Sequence, residues 1–199
     1  MIKNVVFDLG NVLLSYDPRG YLEKKYDDEE LINKLYNSVF KSEEWIGLDR
    51  GSISQQEAVE ILTKRHGFGS EVSDIFRDWE EILQPIQGSI GILEELKDRG
   101  YSLYVLSNFH LEAFKLVANY DFFNNFDELV ISAEINAVKP EPEIYRYLLA
   151  NYSLSPEETV FIDDMEDNLL AAEDFGIKTI QFKSPVQLRG DLQELGLFH

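Results

Sequence analysis

Two kinds of hydrophobic pattern alternate along this chain. Continuous apolar runs recur at residues 3–9 (KNVVFDL), 101–108 (YSLYVLSN), 128–134 (ELVISAE), 159–164 (TVFIDD) and 178–182 (KTIQF). Runs of this length, rich in Val, Ile and aromatic residues and closed by polar ones, predict buried strands. Between them lie helical segments: 89–98, stopped by Gly100; 111–120; a helix from Pro142 to about Asn151; 167–175, stopped before Gly176; and a terminal helix at 187–195. Strands alternating with helices predict an α/β fold, a Rossmann-like, mostly parallel sheet with helices on both faces.

Residues 20–85 break that rhythm. Asp28 is placed to cap a helix running through Leu31, Leu35 and Phe40. Ser54 and Glu57 form a capping box ahead of Ala58, Ile61 and Leu62. Val72, Ile75, Phe76 and Trp79 repeat at spacings of three and four, the period of one helix face. No strand is predicted in this block, and Pro18 and Gly20 are expected to interrupt regular structure at its entrance. The block reads as a small helical bundle inserted after the first strand. The expected division is a core of residues 1–15 and 86–199 and a helical insert of residues 16–85.

Charge narrows the partners. There are 37 acidic and 18 basic residues, a formal charge of -19. Non-specific nucleic-acid affinity comes from Lys and Arg neutralising phosphates, so a nucleic-acid partner is not expected, nor is an anionic membrane surface. No apolar run approaches the length of a membrane span. The absence of cysteine removes disulfides, thiolate metal sites and cysteine nucleophiles. Three histidines, His66, His110 and His199, are too scattered for a histidine-built metal site. The expectation is a cytoplasmic protein, monomeric or a weak homodimer, acting on a small molecule.

In open parallel sheets the ligand sits beyond the carboxyl ends of the strands. Here those ends read Asp8, Ser107–Asn108 and Asp163–Asp164. A single aspartate after a strand is an ordinary turn or cap residue. Three carboxylates at one sheet edge are different: they repel one another unless a cation joins them. Oxygen ligands alone suit Mg²⁺. The metal can take one oxygen of Asp8 and leave the other free to attack an electrophile. Lys139, in AVKPEPEIY, is either a solvated lysine before a rigid turn or an amine held near those carboxylates. Ser107 and Asn108 either cap a strand end or donate to phosphate oxygens.

This order of motifs resembles the haloacid dehalogenase superfamily. FDLGNV at 7–12 stands where that family has its first motif, VLSN its second, VKPEPEIY its third and FIDDMEDN at 161–168 its fourth. The resemblance implies Asp8 as covalent nucleophile, and Ser107 and Lys139 as catalytic groups that bind phosphate. It also implies Asp164 as principal strand-four Mg²⁺ ligand, with Asp163 as an auxiliary carboxylate. Asp8 and the Gly10 carbonyl complete the implied metal set, and Asn168 helps hold the acidic loop. The 16–85 insert would be a type C1 helical cap. The implied activity is hydrolysis of a small phosphomonoester through an aspartyl-phosphate.

One departure matters. Family phosphatases carry a second Asp two residues after the nucleophile, as acid and base for the leaving oxygen; this chain has Gly10. A group worth 10²–10⁴-fold is missing from that position. The G-N-V reading resembles a branch of sugar-phosphate phosphatases, including enzymes like alpha-glucose-1-phosphate phosphatase, whose anomeric leaving group needs less acid. Asp17 has two readings, a replacement acid or a cap of the turn before Pro18. Arg19 is the nearest cation for a substrate carboxylate or second phosphate. His110 is either a substrate contact or a helix-start residue. Tyr16, Tyr21, Trp45 and Trp79 either line a sugar-stacking wall or pack the bundle. The alternatives are a 2-haloacid dehalogenase-type hydrolase, which the Asp163–Asp164 pair opposes, a phosphomutase, and a weakened catalyst kept as a binding protein.

Overall fold

The computed structural model describes residues 1–198; His199 lies outside them. Five parallel strands form one sheet: β1 (Asn4–Phe7), β4 (Ser102–Ser107), β5 (Glu128–Ile131), β6 (Thr159–Asp163) and β7 (Lys178–Gln181). Their order is β5-β4-β1-β6-β7, so β1 lies in the middle with β4 and β6 on either side. All five predicted runs contain a strand, but the third, expected over 128–134, ends at Ile131, and Ser132–Ile135 turns into a short helix. The chain builds outward to one side, then crosses β1 to build the other. The reversal puts the carboxyl ends of β1, β4 and β6 together around one crevice.

Alternation along the strands divides two apolar layers. Val5, Phe7, Leu103, Val105, Val160 and Ile162 face one way, continuous with the core of the helical insert. Val6, Tyr104, Leu106 and Phe161 face the other, against Tyr145 and Leu148 of helix Pro142–Asn151 and Leu169 of helix Glu166–Glu173. Each fully buried Val, Phe or Leu of these layers contributes about 1.5–3 kcal/mol. That burial holds the sheet rigid beneath the crevice.

The insert is helical, as its spacings predict. Asp28 caps helix Glu29–Leu35 by accepting from the backbone N–H groups of Glu30 and Leu31. The Ser54–Glu57 capping box starts helix Gln55–His66, and Gly67, at a φ of 68°, ends it in the left-handed region that glycine tolerates. Three features differ from the sequence expectation. Pro18 and Gly20 lie inside a helix, Pro18–Lys25, because Pro18 takes the first helical position and Asp17 caps it. A Cβ at residue 20 would come within 2.1 Å of Asp17 Oδ2, so glycine permits this cap. Helix Glu43–Arg50 is a further element, started by the Ser42 hydroxyl accepting from Trp45 N–H. Finally, the block does contain a strand. β2 (Leu14–Tyr16) and β3 (Leu83–Pro85) pair antiparallel where the insert leaves and rejoins the sheet. Among the described residues no helix is long and apolar enough to cross a membrane.

Candidate active site

Asp8 follows β1 directly, its N–H donating to the Ile162 carbonyl at 2.9 Å. The chain then folds into a tight loop: Leu9 O accepts from Leu13 N at 2.9 Å and from Leu14 N at 2.8 Å. Asn11 carries this turn at a φ of 55°, a conformation asparagine adopts more readily than bulkier residues. Its side chain does two jobs. Oδ1 accepts from Tyr16 N at 3.1 Å, and Nδ2 donates to Asp164 Oδ2 at 3.1 Å. Asn11 thereby ties the first loop to the acidic loop after β6.

Lys139 is buried between two carboxylates. Its Nζ lies 2.8 Å from Asp8 Oδ1 and 2.6 Å from Asp163 Oδ2. The reading as a solvated lysine is excluded, since the residue is 4% exposed. Its backbone is clamped by Asn108: Lys139 N donates to Asn108 Oδ1 at 2.7 Å, and Asn108 Nδ2 donates to Lys139 O at 2.9 Å. Asp163 is saturated with donors. Besides Lys139 it accepts from Met165 N at 2.8 Å and from Asn168 Nδ2 at 3.1 and 3.0 Å. It anchors the site from below, whereas Asp164 is less buried and faces the cavity over Asp8.

The electrostatics follow from this packing. Burial pushes the Asp8 carboxyl up to about 6; Asp163 adds to the rise, and Lys139 and the Ser107 hydroxyl oppose it. Burial lowers the proton affinity of Lys139, but Asp163 and Asp8 outweigh it and hold the amine above its ordinary range. Burial also raises Asp164, with Asn11 opposing. Three carboxylates against one ammonium leave a deficit of positive charge. One ligand oxygen from each of Asp8, Asp163 and Asp164 lies within 4.8 Å of the others, so the donor set fits one hard divalent cation.

A cavity of about 420 Å³ stands over this cluster, lined by Asp8, Gly10, Ser107, Asn108, Lys139 and Asp164 among others. The structure thus brings seven of the nine sequence-predicted site residues together, counting Asp163 beneath the floor. Asp17 and Arg19 are not among those lining it. The Asp17 side chain accepts from Gly20 N at 2.9 Å, and Arg19 is engaged by Glu23, Glu29 and Asn33 at 2.8, 2.6 and 3.0 Å. Against the cavity lies a smaller one of about 110 Å³, walled by Tyr16, Trp45 and Trp79, with Asp49 and His110 also at its edge. Trp45 and Trp79 are also core residues, with ring centroids 5.2 Å apart. They therefore pack the insert and line a cavity at once. Asn11 and Asp49 are site residues that the sequence reading did not single out. The Gly-Asn turn was a signal for Asn11; nothing local marks Asp49.

The model of the haloacid dehalogenase-like hydrolases matches residues 2–176. The chain belongs to this family. Among its relatives is a sesquiterpene phosphatase of Aspergillus oryzae, 27% identical over 195 residues, 97% of this chain and 96% of that protein. A D-ribitol-5-phosphate phosphatase of Bacteroides thetaiotaomicron is 24% identical over 96% of this chain and 97% of its own length. A solved haloacid dehalogenase family enzyme from Bacteroides thetaiotaomicron, in complex with magnesium and inorganic phosphate, is 27% identical. It superposes with a TM-score of 0.73 over 92% of this chain and 96% of that one. In a haloacid dehalogenase-like hydrolase the inserted helices are the cap, and here they close over the carboxyl edge of the sheet. Arg50 of the cap makes two hydrogen bonds to Glu141 of the core, at 2.7 and 2.6 Å.

Proposed function

We propose that this chain is a Mg²⁺-dependent phosphomonoesterase that forms an aspartyl-phosphate at Asp8. The observation that carries this reading is the buried Asp8–Lys139–Asp163 arrangement with Asp164 on its open side. It holds a carboxylate nucleophile, a cation and a metal-fitting donor set within one crevice. The relatives named as phosphatases support it. A haloacid as substrate is disfavoured, because its carboxylate would meet Asp8 and Asp164.

In this mechanism one oxygen of Asp8 attacks phosphorus. The ester bond breaks, with its electron pair leaving on the alcohol oxygen. Lys139 keeps Asp8 ionised and offsets charge on the phosphoryl oxygens. The Ser107 hydroxyl and backbone N–H groups of the loop after Asp8 donate to the same oxygens. Water then hydrolyses the aspartyl-phosphate. Asp8, Asp164 and the Gly10 carbonyl would hold Mg²⁺, with Asp163 behind them. When bound, the ion supplies positive charge that pairs nucleophile and phosphate.

The substrate is read as a small sugar phosphate. Aromatic faces edged by Asn108, Asp49 and His110 suit a compact ring bearing hydroxyl groups. Within that class, Gly10-Asn11-Val12 supports the alpha-glucose-1-phosphate phosphatase-like branch. The test is phosphate release from a panel of sugar phosphates, nucleotides and 4-nitrophenyl phosphate, with Mg²⁺ and with chelator. Mg²⁺-dependent release that Asp8→Asn abolishes is expected. Release that is equal with chelator, or halide release from 2-chloropropionate instead, overturns the reading.

A further inference from the structure

Gly10 and His110 line the same small cavity. A Cβ built on Gly10 would meet nothing closer than Asp8 Oδ2 at 4.0 Å, so the backbone there is open at its first side-chain position. Gly10 and Asn108 line both the cavity over Asp8 and the small aromatic cavity beside it. His110 lines the latter. The residue is 2% exposed, and its Nε2 is buried with no hydrogen-bond partner. A buried ring nitrogen left unpaired is costly unless a ligand satisfies it.

The surroundings orient this ring. His110 stands at the start of helix Leu111–Val117, but its side chain makes no capping bond there. Trp79 and Trp45 pack against it with centroids 4.5 and 5.7 Å away, at 62° and 87°. Nδ1 faces Asp49 Oδ1 at 3.6 Å, an ion-pair distance. Asp49 is itself held. Its carbonyl accepts from the Ser132 hydroxyl, which also accepts from Phe109 N at 2.9 Å. One side chain of the core thus fixes the cap residue and the backbone next to His110. Among the described residues Asp49 is the charged group facing His110; Trp45, Phe76, Trp79 and Phe109 supply the rest of its surroundings. Burial pushes the Asp49 carboxyl up, with His110 and Lys139 opposing.

We propose that His110, oriented by Asp49, is the general acid and base of this enzyme, in the role vacated at Gly10. This rests on the phosphomonoesterase reading. In the first half-reaction the oxygen of Asp8 bonds to phosphorus and the bond from phosphorus to the ester oxygen breaks. That oxygen takes the proton from Nε2 of the imidazolium, which becomes neutral. In the second, neutral Nε2 takes a proton from water as the water oxygen bonds to phosphorus and the bond to Asp8 breaks. The imidazolium is restored, and Asp49 stabilises it. The substrate class widens accordingly. Esters of basic, unactivated alcohols come within reach, not anomeric phosphates alone.

The test is leaving-group dependence, which a packing role would not alter. For wild type and His110→Gln, kcat/KM is measured with Mg²⁺ on 4-nitrophenyl phosphate, on phenyl phosphates of rising leaving-group basicity, and on cyclohexyl phosphate. The expected loss in His110→Gln is about 10²–10⁴-fold on cyclohexyl phosphate. On 4-nitrophenyl phosphate, whose leaving group needs no proton, it is under about 3-fold by the same reasoning. Equal losses on all esters overturn the proposal. Asp49→Asn keeps the imidazole and is expected to steepen the same dependence less; if His110→Gln fails to fold, an unchanged dependence in Asp49→Asn overturns it. No release by wild type from any ester overturns the phosphatase reading itself, whereas release with an unaltered dependence overturns only the role of His110.

Discussion

Lys139 Nζ bridges Asp8 and Asp163, 2.8 Å from one and 2.6 Å from the other, with the amine almost wholly out of solvent. One positive charge serves two buried negative ones. Lys139→Met leaves both carboxylates without that partner, and breaking a buried pair costs about 3–5 kcal/mol. The variant is expected to unfold at lower urea and to lose kcat/KM by at least about 10³-fold, a transition-state charge contact of a few kcal/mol. Urea titration and phosphate release measure the two effects separately. Wild-type turnover in this variant would remove Lys139 from the chemistry.

Asp8 links activity to stability with a definite sign. Its folded value of about 6 lies above the ordinary 3.8, so folding disfavours the ionised form. The penalty is fully present above pH 6 and is relieved as pH falls from 6 towards 3.8. At about 1.4 kcal/mol per unit it reaches up to about 3 kcal/mol. Metal-free Asp8→Asn is therefore expected to melt several degrees above metal-free wild type at pH 7.5. The gap should close between pH 6 and 4. Calorimetry in chelator measures it, and equal Tm values at pH 7.5 would contradict the burial argument.

Asp164 is the partly solvated member of the cluster, steered by Asn11. Asp164→Asn removes charge from the metal side and leaves the Lys139 pairs in place. The expected result is a Mg²⁺ requirement raised by about 10–100-fold, with the metal-free Tm little changed. Loss of the positioning hydrogen bond in Asn11→Ala is expected to act in the same direction with a smaller shift, the usual size for groups that orient ligands. Activity against Mg²⁺ concentration reads both.

Arg50 and Glu141 join cap to core through paired hydrogen bonds, yet each side chain is about one-third exposed, 33% and 37%. An exposed pair contributes no more than about 1 kcal/mol to stability. Arg50→Met is expected to leave the Tm within about 2 °C, in line with that small term. Turnover should change instead if the cap opens for exchange, since a contact between cap and core then sets the rate of opening. A kcat that becomes insensitive to salt, measured against a salt-sensitive wild type, would show that this pair holds the closed form.

Gly10→Asp places a carboxylate in the open space above Asp8. In the His110→Gln background it is expected to recover at least about 10-fold of the lost cyclohexyl phosphate turnover, part of the gain an acid gives. No recovery, with the fold and Mg²⁺ dependence intact, would show that the space at residue 10 does not reach the leaving oxygen.

Local pattern determined much of this protein. Apolar runs ending in Asp8, Ser107 and Asp163 marked β1, β4 and β6, and the Ser54–Glu57 pair marked its helix, because strand burial and capping act over a few residues. Motif order pointed to the nucleophile, the lysine and the acidic pair. Helix Pro18–Lys25 runs against local pattern because proline and glycine look like breakers; the Asp17 cap on Gly20 N makes them a helix start. The ribbon of β2 and β3 pairs Leu14 with Pro85 across the whole insert, a separation no local pattern reports. The same holds for function. Asp49 and His110 stand 61 positions apart in a chain where neither carries a motif. Only the closure of the cap on the core sets one against the other, in a cavity that Gly10 also lines, with His110 Nε2 left unpaired.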